Sequence, residues 1–101
     1  MQYGNSARAK FLFDRNRLPR PGQYYKCQGI KLTGGSEWKN ARCPFHLDHK
    51  PSLRVRLDSG GFRCKSCGAH GGDVVDFHMQ LYGMGFIEAA KDLGAWDYYH
   101  D

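Results

Sequence analysis

The clearest alternation along the chain is Ser52-Leu53-Arg54-Val55-Arg56-Leu57, where polar and apolar residues change places at every step. A period of two puts Leu53, Val55 and Leu57 on one face of a strand and Ser52, Arg54 and Arg56 on the other. Asp58-Ser59-Gly60-Gly61 reads as a hairpin turn, after which Phe62-Arg63-Cys64 returns antiparallel. A shorter strand is expected from Glu37 to Arg42, with Trp38, Asn40 and Arg42 on one face, after a loop at Thr33-Gly34-Gly35-Ser36. Beyond Gly71-Gly72 the period lengthens. Val74, Phe77, His78 and Leu81 recur at helical spacing between Asp73, an N-cap, and Gly83, a stop, so a helix is predicted over 73–82. A second helix from Phe86 to Leu93 is expected to turn Phe86, Ile87, Ala90 and Leu93 to one side. Ahead of the sheet, residues 23–30 predict one or two helical turns closed by Gly29. Ser6 would cap a helix through Asn16, broken off by Pro19 and Pro21. The expected organisation is a basic arm (1–21), a small α+β domain with a short antiparallel sheet flanked by helices (22–95), and an acidic, aromatic tail (96–101).

With 101 residues there is room for one domain. A domain this short buries only roughly 60–65% of its unfolded surface, so an added staple is expected. No apolar run approaches the ~20 residues of a membrane span, and the opening MQYGNSARAKFLF lacks an apolar core of signal-peptide length. That leads to a cytoplasmic reading with no membrane partner. In a reducing compartment cysteines serve as metal ligands or catalytic thiols more often than as disulfides. Charge is uneven: residues 1–70 carry 14 Lys/Arg against 4 Asp/Glu, whereas residues 71–101 carry 1 against 6. A basic stretch of this size fits a polyanion, nucleic acid foremost, or merely a solvated surface.

Cys43-Pro44-Phe45-His46 and Cys64-Lys65-Ser66-Cys67-Gly68 are two knuckle motifs with 17 residues between them. Two intervening residues let the chain turn tightly enough for both side chains to reach one metal at about 2.0–2.3 Å. Gly68 suits the positive φ in which such a turn closes. Cys43, His46, Cys64 and Cys67 thus form a closed Cys3His set for one structural zinc ion, with two strands and a tight turn between the knuckles. Cys27 has no paired ligand and reads as a buried free thiol. His78 is read as a partly buried packing residue, and His70 as a surface histidine with a phosphate contact as its alternative.

Together with Lys50-Pro51-Ser52-Leu53 and Gly71-Gly72-Asp73-Val74-Val75-Asp76-Phe77, these knuckles resemble the CHC2-type zinc-binding domain of bacterial DNA primases over residues 23–95. The resemblance implies a zinc ribbon with flanking helices, the same four ligands, and contact with single-stranded template DNA where primers start. It implies no catalysis by this segment, since the clustered acids of a primase polymerase domain have no counterpart here. Asp73 and Asp76 are accounted for by a helix N-terminus. A primase catalytic subunit or a replicative helicase is the implied protein partner, and a stand-alone module would fit a phage, plasmid or other mobile element.

Single-strand binding needs cations along phosphates and flat groups under bases. Arg54 and Arg56 point outward by alternation; Arg63, Lys65, Lys39, Arg42 and Trp38 complete the candidate surface. Phe45 and Phe62 are stacking groups or core, Phe45 reading as core, and Trp38 is open between the two roles. Two other classes compete: a protein–protein adaptor using the tail or arm on a replication enzyme, and a redox switch pairing Cys27 with a knuckle thiol.

Overall fold

In the computed structural model, which describes residues 12–47 and 50–97, the predicted alternation becomes strand β2 (Leu53–Arg56). It is an inner strand of an antiparallel meander in the order β1 (Trp38–Ala41), β2, β3 (Phe62–Cys64), β4 (His70–Gly71). Residues opposite each other in an antiparallel ladder share a face. Ala41, Leu53 and Cys64 therefore lie on one side with Lys39, Val55, Phe62 and Gly71, and this side packs into the core. Trp38 with Arg56, and Asn40 with Arg54, Arg63 and His70, lie on the other. Strand β4 was not foreseen, because two residues carry no periodicity.

Leu57 departs from the expectation of an inward residue: it is 39% exposed. The chain leaves the pleat at Arg56, so Leu57 belongs to the turn and loses the strand's alternation. The hairpin closes where Arg56 N–H donates to Gly61 O and Gly60 N–H to Arg56 O, both at 2.8 Å. Gly60 is required there. Its φ is +82°, and a Cβ would stand 2.9 Å from Val74 Cγ1.

Three helices accompany the sheet, the third packed on the second. Helix α1 (Pro21–Cys27) starts on proline, whose missing N–H costs nothing in the first turn, and buries Tyr24 and Tyr25. The predicted closing glycine, Gly29, has φ +77°. Helix α2 (Val74–Tyr82) follows the expected boundaries: Asp73 accepts from Asp76 N–H at 2.9 Å, and Gly83 ends it in the left-handed region. Val74, Val75, Phe77 and His78 are buried. Phe77 is the hub of an aromatic core, its ring centroid 4.7 Å from Tyr25, 4.9 Å from Phe62 and 5.1 Å from Phe45, all edge-on.

Helix α3 (Phe86–Asp92) meets the expectation in part: Ala90 is buried and Leu93, its C-cap, packs against the core, but Phe86 and Ile87 do not follow them. Ala89 and Ala90 are fully buried, whereas Phe86 and Ile87 are 42% and 49% exposed. Alanines let α3 approach α2 closely, and Phe86 packs edge-on against Phe13, centroids 4.9 Å apart, outside the main core. The Ser6–Asn16 helix lies mostly outside the described residues. At its described end Phe13 bridges Trp96, and Arg15–Arg17 make one 3-10 turn capped by Asp14. Asp14 N–H donates to Ala95 O, Asp97 N–H to Leu12 O, and Arg17 pairs with Asp97, so the end of the arm and the start of the tail lie together.

His78, 4% exposed, locks the helices to one another. Its Nδ1 and the Tyr24 hydroxyl are 2.7 Å apart and its Nε2 meets the Asp92 carboxylate, joining α1, α2 and α3 through one ring. Burial pushes the Tyr24 and Tyr25 phenols well above their ordinary range, so both stay neutral; Tyr25 donates to Gly60 O at 2.7 Å. Tyr24→Phe leaves His78 Nδ1 without its buried partner and is expected to cost about 1–3 kcal/mol in thermal or urea unfolding. Leu57→Ala, in the exposed turn, is expected to stay within about 0.5 kcal/mol of the parent. Equal losses in the two variants would contradict this assignment of core and turn.

Candidate zinc centre and nucleic-acid interface

The sheet register brings the two knuckles to one end. Ala41 ends β1 opposite Leu53, and Leu53 stands opposite Cys64, the last residue of β3. Cys43 and Cys64 thereby emerge side by side beyond the start of β2. Lys65 N–H donates to Ser52 O, and the Ser66 hydroxyl to Ser52 Oγ at 2.8 Å, which tie the second knuckle to that strand. Gly68, with φ +81°, donates its N–H to Cys64 O and closes the turn as predicted.

The ligand atoms of Cys43, His46, Cys64 and Cys67 all lie within 4.8 Å of one another. Cys43 Sγ and Cys67 Sγ are 3.8 Å apart, and Cys64 Sγ is 3.4 Å from His46 Nε2. A tetrahedron with metal–sulfur bonds of about 2.3 Å has sulfur–sulfur edges of about 3.8 Å, so the donors stand at coordination spacing. His46 Nδ1–H donates to Leu47 O at 3.1 Å, which leaves Nε2 with its lone pair toward the cluster. Phe45 N–H points at Cys43 Sγ (3.4 Å) and Cys67 N–H at Cys64 Sγ (3.5 Å). Burial and the adjoining thiols push the Cys43 thiol up. Burial also opposes ionisation of Cys64, but the Cys67 and Ser66 N–H groups and His46 outweigh it and bring that thiol down. The four residues are arranged to bind one zinc ion, which would replace the thiol protons. Cys27 is exposed, contrary to the buried thiol expected, because it faces out at the end of α1; it lies outside the cluster.

On the outer face of the sheet, Trp38, Arg54, Arg63, Lys65 and His70 surround an open hollow of about 490 Å³. Arg54 and Arg63 are direct cross-strand neighbours, both exposed. No acidic side chain among the described residues pairs with either of them, or with Lys65. His70 completes the ring, its Nδ1–H donating to Gly68 O at 3.0 Å and its Nε2 left open. Its placement escaped the sequence because only the β4 register puts it opposite Arg63.

The remaining cationic candidates do not line this hollow. Lys39 stands across from Val55 on the core side of the sheet and donates to Gly35 O at 3.2 Å. Arg42, one residue past β1, lines a separate hollow with Lys31, Cys43 and Pro44. Arg56 shares the outer face but is held by Asp58, Nε to Oδ1 at 3.0 Å and Nη2 to Oδ2 at 2.6 Å. Phe62 is 2% exposed and Phe45 packs against it, so both are core. No helix among the described residues is long and apolar enough to cross a membrane.

The family model for the CHC2 zinc finger matches residues 26–98. The chain belongs to that family. Among curated relatives, the CHC2 chain is 35% identical over 66 residues to the DNA primase of Salmonella typhimurium, covering 65% of this chain and 11% of the relative. It is 45% identical over 53 residues to the DNA primase of Geobacillus stearothermophilus, 52% of this chain and 9% of that one. A crystal structure of the Aquifex aeolicus primase, comprising zinc-binding and RNA polymerase domains, superposes with a TM-score of 0.63 at 26% identity over 75% of this chain and 18% of the other. The CHC2 chain thus spans about a tenth of the length of these curated relatives. It is a zinc-binding, primase-like module.

Elemental analysis of the folded protein is expected to give one equivalent of zinc. Cys43→Ser or Cys64→Ser should lose it and unfold, since the binding energy of a structural zinc, about 10–16 kcal/mol, matches or exceeds the whole stability of a small domain. Cys27→Ser should retain both metal and fold, and zinc loss in that variant would contradict the ligand assignment.

Proposed function

We propose that the outer face of the sheet contacts single-stranded DNA and that the CHC2 chain is a template-contacting module of primer initiation. The observation that carries this reading is the unneutralised cross-strand pair Arg54 and Arg63, with Lys65 beside it. Like charges directly opposite in a sheet destabilise it. A phosphate backbone laid across them turns that repulsion into attraction and releases counterions. Trp38, at the rim of the same hollow, offers a flat surface for a base, which a single strand exposes and a duplex hides. His70, which lines the same hollow, adds a ring nitrogen as a hydrogen-bonding group.

The relatives support the setting, because those named above are DNA primases and the chain matches the zinc-binding part of the solved neighbour. In this reading the nucleotidyl transfer belongs to a primase catalytic subunit, and the module presents template to it or receives the strand from a replicative helicase.

The test is a titration of zinc-loaded protein into labelled single-stranded DNA at several salt concentrations, with matched duplex as competitor. Micromolar binding with single-strand preference is expected, weakening steeply with salt. Replacing Arg54 and Arg63 together with glutamine should lower the logarithmic salt slope by about 1.4, roughly 0.7 per phosphate contact, and leave the zinc content unchanged. Absence of binding at low salt would overturn the reading and turn attention to a protein–protein adaptor.

A further inference from the structure

Arg56 differs from the cations around the hollow. It is the cross-strand neighbour of Trp38, and its guanidinium carbon lies 5.5 Å from the centroid of the Trp38 ring. Both oxygens of Asp58 engage it in a fork, so the guanidinium is fixed in plane and its charge is neutralised locally. The Arg56 hydrogen bonds hold the Asp58 carboxyl below its usual range, so the fork is intact at neutral pH. Arg54 is free of such pairing, and Arg56 does not line the hollow that Trp38 and Arg54 share. A guanidinium whose charge is already paired with a carboxylate adds less to phosphate binding than a free one, although three of its five N–H donors remain. Set against one indole face, it restrains the ring and leaves stacking to the opposite face.

We propose that Arg56 is a positioning residue: held by Asp58, it backs the Trp38 indole and fixes it as a platform for an unpaired nucleobase, and it makes no phosphate contact itself. This rests on the single-strand reading above. It also divides labour on the face, with Arg54, Arg63 and Lys65 reading the phosphates and the Asp58–Arg56–Trp38 stack reading the bases.

The test uses the full chain, zinc-loaded, in a Trp96→Phe background that leaves Trp38 as the reporter, since the sequence has two tryptophans. In the free protein, Arg56→Gln and Asp58→Asn should each raise quenching of Trp38 by acrylamide, because the ring loses its backing. With a twelve-residue oligothymidylate, both variants should bind about two- to five-fold more weakly, the range of an exposed cation–π contact. Their salt slope should match the parent, and the DNA-induced quenching of Trp38 should fall. Arg54→Gln, by contrast, should lower the slope by about 0.7 and leave the quenching at saturation unchanged. A drop in slope for Arg56→Gln equal to that of Arg54→Gln would make Arg56 a phosphate ligand and overturn the proposal. Parent-like affinity and quenching in both variants would overturn it as well, while leaving the single-strand reading standing. A parent protein that binds no oligothymidylate would overturn the two together.

Discussion

Four donors gathered at one end of the sheet are the constraint on which the rest depends. The strands are four, four, three and two residues long, too short to hold one another by hydrogen bonds alone. A zinc ion held by Cys43, His46, Cys64 and Cys67 would tie the end of β1 to the end of β3 across β2 and so secure the register that every other placement uses. At the opposite end the Gly60 turn does the same work without a metal, through the Tyr25 hydroxyl and close packing on Val74. Between the two anchors only one face of the sheet needs a core. Phe77 and its aromatic neighbours fill it, and the other face is left to water and cations.

Much of this was legible in the residues. The alternation in β2, the Asp73 and Gly83 caps of α2 and the knuckle spacing each impose their geometry locally, so a short window suffices to read them. What could not be read depends on packing between distant segments. Strand β4 exists because Phe62 and Arg63 need a partner on their free edge, and His70 enters the hollow only through that pairing. Of the side predicted for α3, Ala90 and Leu93 turn inward, whereas Phe86 packs on Phe13, a partner that local spacing does not reveal. Lys39 is a candidate cation by its charge alone. Its parity along β1 puts it across from Val55, on the other side of the sheet. The turn that begins at Leu57 releases that residue from the alternation which predicts it inside.

The uneven charge of the sequence acquires a physical meaning in the fold. Every aspartate among the described residues is occupied. Asp14 caps the 3-10 turn, Asp58 holds Arg56, and Asp73 both caps α2 and pairs with Arg15. Asp76 accepts from Gly72 N–H, Asp92 meets His78, and Asp97 pairs with Arg17. These acids are spent on caps and ties between segments, away from Arg54, Arg63 and Lys65. The net charge of +5 therefore understates the field on the sheet face, where Arg54, Arg63 and Lys65 stand together without an ion pair among the described residues. Removing the outward charge from that face would relieve the Arg54–Arg63 repulsion and steady the sheet. A face whose residues oppose the stability of the strand pair that carries them is more economically explained by an anionic partner than by solubility, for which dispersed charges would serve as well.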